Sequence, residues 1–193
     1  MKYYLDITLL ADIEVPLGFI WHKVYQQVHI ALVENKSGEN ESSVALSFPK
    51  YGDKEFPLGN KLRLFAETEQ VLEKLAVANW LKRFTEYTHI TSIKTVPESV
   101  REYVCFSRKQ FNTNISRLAR RRAKRHDETF EQALQYYASF EDEQTKLPFI
   151  NVKSLSKGEQ FRFFIEQEVS NQPQAGVFNC YGVSKTTATV PWF

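Results

Sequence analysis

The chain has few of the features that would mark it for a membrane or an oxidising compartment. Its 193 residues include only two cysteines, Cys105 and Cys180, far apart and with neither a CxxC pair nor a metal-like histidine spacing nearby. That removes a disulfide scaffold and argues against structural zinc. No apolar run approaches the roughly 20 residues that span a bilayer, and MKYYLDITLL has an early aspartate and no signal-peptide cleavage pattern. A reduced, cytoplasmic setting away from membranes is expected. Walker, GxSxG and HExxH motifs are missing, as is any DxD or carboxylate cluster of the kind a two-metal nuclease uses. No metal or other cofactor is expected. A chain of this kind that cut a nucleic acid would do so without metal. RNA permits this, because its own 2′-OH can attack the adjacent phosphate.

The most telling deficit is local. From Tyr103 to His126 there is no acidic residue but there are eight basic ones, in a chain whose net charge is only +2. Ile115 to Arg125 contains neither proline nor glycine, which predicts a helix. On it Arg117, Arg121, Lys124 and Arg125 recur at i, i+4, i+7 and i+8, along one side. Like charges so placed repel one another, and no acidic partner within the run relieves them. A polyanion would, and a row of guanidiniums suits a phosphate backbone.

With 42% hydrophobic and 14% aromatic residues the chain can build a proper core. Tyr3, Leu5, Ile7 and Leu9 alternate as a strand, and Leu17 to Asn35 repeats at helical spacing. Val44–Phe48 and Leu62–Ala66 predict two further strands, Val71–Ala76 a second helix, and Ile90–Val96 a closing strand. This β-α-β-β-α-β order is ferredoxin-like, shared with RNA-recognition modules. The expected class is α+β. A ferredoxin-like (RRM-like) domain over residues 1–97 precedes a domain over 98–193 with an arginine-rich helix and short strands. In the second half Asp127 is expected to cap a new helix, and Phe161, Phe163 and Ile165 alternate as a strand after the turn SLSKG.

His29 is the best acid or base candidate, on the first helix beside Val28 and Leu32, since an imidazole titrates near neutrality. His22 is nearly equal by the same argument, a partly exposed helix histidine remains the plainer reading, and His126 ends the basic helix, where phosphate contact fits better. Ser154 and Ser156 are ordinary turn formers that could also hold a ribose or a phosphate. Tyr181 reads as a core residue. Arg108 and Gln110 have the donors to read guanine and adenine edges, or form a polar linker.

VHIAL around His29, SRKQ at Ser107 to Gln110, RLARRRAKRHD, SLSKGEQFRFFI and the tail CYGVSKTTATVPWF occur in one order across nearly the whole chain. Together they resemble the CRISPR repeat-processing endoribonucleases of type I-F systems. The resemblance implies a metal-independent RNase that cuts a repeat hairpin at its 3′ base, leaves a 2′,3′-cyclic phosphate and keeps the mature guide RNA as a subunit of a surveillance complex. It further implies catalytic roles for His29, Ser154 and Tyr181, with Ser154 holding the attacked ribose and Tyr181 orienting the histidine. Arg108 and Gln110 would read the bottom of the stem, and the helix carrying Arg120, Arg121, Lys124, Arg125 and His126 would enter the hairpin's major groove. Ser156 and Phe161 would contact RNA beside the cut. Lys124 stands where an arginine is common in that family, so a point contact to phosphate is implied there. The competing readings are a non-catalytic RNA-hairpin-binding protein and a duplex-DNA reader.

Overall fold

The computed structural model describes residues 1–111, 115–137, 145–156 and 158–193; the side chains of Ile115 and Arg117 lie outside the described set. The first half forms β1 (Tyr3–Leu9), α1 (Leu17–Glu34), β2 (Val44–Ser47), β3 (Lys61–Ala66), α2 (Glu69–Leu75), α3 (Val77–Trp80), β4 (Thr88–Ile90) and β5 (Lys94–Thr95). Strand order is β2-β3-β1-β4 with β5 also on β1, all antiparallel. This is the ferredoxin-like arrangement the element order predicts.

Register explains the core. Leu5 faces Leu64, which faces Leu46, and Ile7 faces Leu62, so these residues share one side of the sheet. All are buried, together with Ile20, Trp21, Val24, Val28 and Leu32 of α1. The periodicity of α1 is thus that of large apolar side chains set three and four apart.

The other side of the sheet holds a buried ion pair that the sequence did not announce. Arg63, opposite Asp6 in the register, donates to both its carboxylate oxygens, at 2.6 and 3.0 Å, and to the Phe193 main-chain oxygen at 2.9 Å. The guanidinium carbon lies 4.5 Å from the Tyr4 ring centroid and 4.0 Å from that of Phe193. Burial alone would raise the Asp6 carboxyl, but Arg63, helped by Lys61, outweighs it and holds the group below its ordinary value. The tail is thereby fastened to β1 and β3.

The single closing strand expected over Ile90–Val96 is instead two pieces. The Asp6 N–H donates to the Thr91 hydroxyl at 3.0 Å, and the Thr91 N–H to the Asp6 carbonyl at 2.9 Å. A side-chain acceptor thus takes a position that a backbone carbonyl would otherwise fill, and the ladder resumes only at Lys94.

The second half supplies β6 (Glu102–Lys109), α4 (Ile115–His126), α5 (Phe130–Tyr136), β7 (Phe149–Lys153), β8 (Gln160–Ser170) and β9 (Val190–Trp192). A second sheet runs β7-β8-β6-β9. Neither β6 nor β7 was foreseen, and at eleven residues β8 is not short. By contacts the chain makes two compact units, Met1–Arg108 with Leu147–Phe193, and Lys109–Lys146. Both sheets belong to the first unit, and the change from one sheet to the other falls between Thr95 and Glu102.

The second unit is a helix pair. Ala119 of α4 and Ala133 of α5 are both fully buried. The cap of α5 is Thr129 rather than Asp127. The Thr129 hydroxyl accepts from the Gln132 N–H, and the Gln132 side chain accepts from the Thr129 N–H, a reciprocal capping box. Asp127 instead takes a left-handed conformation, φ 55°, just beyond the end of α4, a place where a short polar side chain is tolerated. Among the described residues no helix is long and apolar enough to cross a membrane.

Candidate functional site

His29 is far more enclosed than a surface helix histidine, with 4% of its surface exposed. Its ring lies flat on Tyr181, the centroids 4.1 Å apart and the planes 7° from parallel. Nδ1 is 2.8 Å from the carbonyl oxygen of Cys180. A carbonyl can only accept, so Nδ1 carries the hydrogen and the neutral ring keeps its lone pair on Nε2. Burial lowers the proton affinity of the imidazole, and the bond to the carbonyl opposes this only in part. His29 therefore titrates below the ordinary 6.5 and is neutral at physiological pH.

The partner carbonyl is held by a rigid turn. The Tyr181 N–H donates to the Asn179 side chain at 2.8 Å, and the Gly182 N–H to the Asn179 carbonyl at 2.7 Å. Gly182 is left-handed at φ 76°, and a Cβ there would sit 2.2 Å from Leu46 Cγ. The Gly182 carbonyl accepts from the Leu46 N–H at 2.7 Å, tying the turn to β2. The buried Tyr25 hydroxyl donates to the Tyr181 carbonyl at 2.9 Å. Tyr181 also stacks on Phe163, at 4.9 Å and 27°. Burial keeps the Tyr181 phenol above its ordinary value, although the nearby Arg108 charge pulls the other way.

Helix α1 also positions Ser154. His22 Nδ1 is 2.6 Å from the Asn151 carbonyl. Four residues on, the Gln26 amide brackets Lys153, donating to its carbonyl at 3.2 Å and accepting from its N–H at 2.8 Å. The elements advance in step: four helical residues rise about 6 Å and two strand residues about 6.6 Å. Ser154 is the next residue along the chain, just beyond this bracket. His22, the rival candidate, is a strut between α1 and the edge of β7. Ser154 opens the turn joining β7 to β8, closed by its own N–H to the Glu159 carbonyl at 2.8 Å. Its hydroxyl is 3.3 Å from that of Ser156, which is exposed.

Arg108, near the end of β6, lies over an aromatic platform. Its guanidinium carbon is 4.9 Å from the ring centroid of Phe161, 5.5 Å from Phe163 and 5.9 Å from Tyr181. The Nε of Arg108 is buried with no hydrogen-bond partner among the described residues. An orphaned buried donor is costly and is the kind of group a ligand oxygen would satisfy. Gln110 follows β6 and is exposed.

On α4, Arg120, Arg121, Lys124, Arg125 and His126 are exposed, and the side chain of Arg117 falls outside the described residues. Arg122 differs from its neighbours. It donates to both carboxylate oxygens of Glu128, at 3.1 and 2.9 Å, and its guanidinium carbon lies 3.7 Å from the Tyr136 ring centroid. For Arg122 the acidic partner missing inside the basic run is thus supplied from beyond it.

The sequence suggested His29, Ser154, Tyr181, Arg108 and Phe161 separately, and the fold brings His29, Tyr181, Phe161 and Arg108 into one group. It did not suggest the Cys180 carbonyl, Tyr25, Gln26 or Phe163. The alternation in QFRFF was a signal for Phe163. A backbone carbonyl leaves no such trace. Among the described residues no three His, Cys, Asp or Glu gather as a metal site would need.

The class these parts define is an α+β protein with a ferredoxin-like sheet, an imidazole seated in an aromatic socket and an arginine-rich helix. The particular family follows from comparison: residues 4–193 match the model of a CRISPR-associated protein family, Cas_Csy4, and the chain belongs to that family. Its relatives include a protein of Escherichia coli (strain UTI89 / UPEC), 34% identical, and one of Pseudomonas aeruginosa (strain UCBPP-PA14), 32% identical. Each alignment covers 100% of both chains, and both relatives bear the name CRISPR-associated endonuclease Cas6/Csy4.

Proposed function

We propose that this chain is a CRISPR repeat-processing endoribonuclease that binds the repeat RNA hairpin and cuts it at its 3′ base without metal. The observation that carries the reading is the state of His29: neutral, hydrogenated on Nδ1 by its bond to the Cys180 carbonyl, and so left with a basic Nε2. Nε2 takes the proton of the 2′-OH as that oxygen attacks the adjacent phosphorus. The bond from phosphorus to the 5′-oxygen breaks, the leaving oxygen takes a proton from solvent, and a 2′,3′-cyclic phosphate remains. Tyr181, flat against the imidazole, keeps it from rotating out of line. Ser154 holds the ribose for in-line attack. The barrier is then lowered by orientation and a single proton transfer, which fits slow turnover and retention of the mature guide RNA.

Recognition rests on charge and on one rigid fork. Arg108, laid over Phe161 with an unsatisfied Nε, suits the base edges at the bottom of the stem, and Gln110 reads beside it. Phe161 stacks on the terminal pair, and Ser156 contacts the backbone there. The groove of A-form RNA that would admit α4 is normally too narrow for side chains. A short hairpin cut at its open base removes that obstacle for Arg117, Arg120, Arg121, Lys124, Arg125 and His126. The remaining subunits of a surveillance complex are the proposed protein partners.

A pH profile tests the assignment of the base. Single-turnover cleavage should lose activity on the acid side with a midpoint below 6.5, since protonation of Nε2 removes the lone pair and burial shifts that event to lower pH. A midpoint above 6.5, or a limb that survives in His29→Gln, would assign the base elsewhere. Ser154→Ala should slow cleavage, and the wild type should form no covalent protein–RNA adduct. Trapping a seryl phosphate would make Ser154 a nucleophile and overturn its positioning role.

A further inference from the structure

A second surface has the make-up of a nucleic-acid site and has no part in the chemistry above. A cleft of about 460 Å³ lies between α1 and the α3 segment, lined by Gln27, Asn79, Trp80, Lys82, Arg83 and Phe84. Phe84 also borders a smaller apolar cavity of about 70 Å³, whose rim carries Lys23. The shared residue makes the two one surface. It offers three cations and no carboxylate, in a chain whose 25 basic residues are nearly matched by 23 acidic ones. Lys82 and Arg83 are exposed and form no ion pair among the described residues. The Trp80 indole is half-buried and fixed by its N–H, which donates to the Leu75 carbonyl at 3.2 Å.

A fixed aromatic face beside unpaired cations is what single-stranded nucleic acid needs, the ring stacking a base and the cations meeting phosphates. The two amides, Gln27 and Asn79, add base-edge donors and acceptors. Position strengthens the case. Gln27 and His29 are two residues apart, so they project about 160° apart around α1. The cleft therefore flanks the helix on the side away from His29, across a helix about 10 Å thick, a distance a few nucleotides of extended RNA would bridge.

We infer that this cleft is a subsite for single-stranded RNA flanking the hairpin. The inference rests on the proposed RNA substrate, but the groove can be probed without a hairpin. The binding experiment compares an uncleavable minimal hairpin with the same hairpin extended by oligouridylate on its 5′ or its 3′ side. One extension should tighten wild-type binding by roughly 3–10-fold and so identify the flank. Lys82→Ala/Arg83→Ala should abolish that gain and lower the salt slope by about 1.4, at about 0.7 per single-strand phosphate contact. Affinity for the minimal hairpin, and its cleavage, should be unchanged. An extension that adds nothing in the wild type, or an equal loss for all three RNAs, would overturn the inference.

A second experiment needs no hairpin. Free oligouridylate should quench tryptophan fluorescence in the wild type, and the quench should vanish in Trp80→Phe and weaken in the double variant. Quenching without hairpin binding would support the cleft while the substrate reading fails. Quenching by polyglutamate but not by oligouridylate would assign the cleft to an acidic protein segment and overturn the RNA subsite.

Discussion

His29→Ala is expected to slow single-turnover cleavage by about 10²–10⁴-fold, roughly 3–5 kcal/mol in the barrier, while hairpin affinity is retained. The separation follows from where the groups lie in the chain. The proposed base sits on α1, and the exposed cations proposed to hold the hairpin sit on α4. His29 is nearly buried, so its removal also opens space against Tyr181 and strands the Cys180 carbonyl. A thermal melt should therefore accompany the rate. A folded variant that cuts at the wild-type rate would sink the assignment. His22 also bonds a carbonyl through Nδ1, that of Asn151, so His22→Ala is the control and should keep the wild-type rate.

The second large effect is on binding. Arg121→Ala/Arg125→Ala should weaken hairpin binding whatever the loop sequence and lower the salt slope by roughly 0.9 per lost phosphate contact. Both residues are exposed, and neither forms an ion pair among the described residues. Arg122→Ala is the informative contrast. Its guanidinium is held by Glu128 and lies over Tyr136, so its loss should loosen the helix pair and lower thermal stability, with the salt slope little changed. If the double variant keeps both affinity and salt dependence, α4 does not hold the hairpin.

How much could be read from the sequence depended on what covers each element. β1 and α1 bury one face or stripe of large apolar residues, and their alternation and helical spacing were legible. β6 was not. Val104, Cys105 and Phe106 are consecutive and all buried, so no alternation marks the strand, and it runs into the basic segment that dominates the local composition. β7 is five residues long, with only Ile150 and Val152 buried. At the site, side chains with distinctive chemistry could be nominated one by one. The elements that bind them together could not: the Cys180 carbonyl, the Gln26 amide on Lys153, and the left-handed Gly182 that lets the turn approach Leu46. These are backbone geometries and long-range pairings, and residue identity carries little trace of them.

In the proposed reaction the RNA's own 2′-OH, activated by His29, is the nucleophile. The decisive substrate carries a single 2′-deoxy nucleotide immediately 5′ of the scissile phosphate, with binding and cleavage both measured in EDTA. This RNA should bind as tightly as the all-ribose hairpin and remain uncut, while the all-ribose hairpin should be cut in the same buffer and end in a 2′,3′-cyclic phosphate. Cleavage of the deoxy RNA, or a strict need for a divalent ion with the all-ribose RNA, would contradict that reaction.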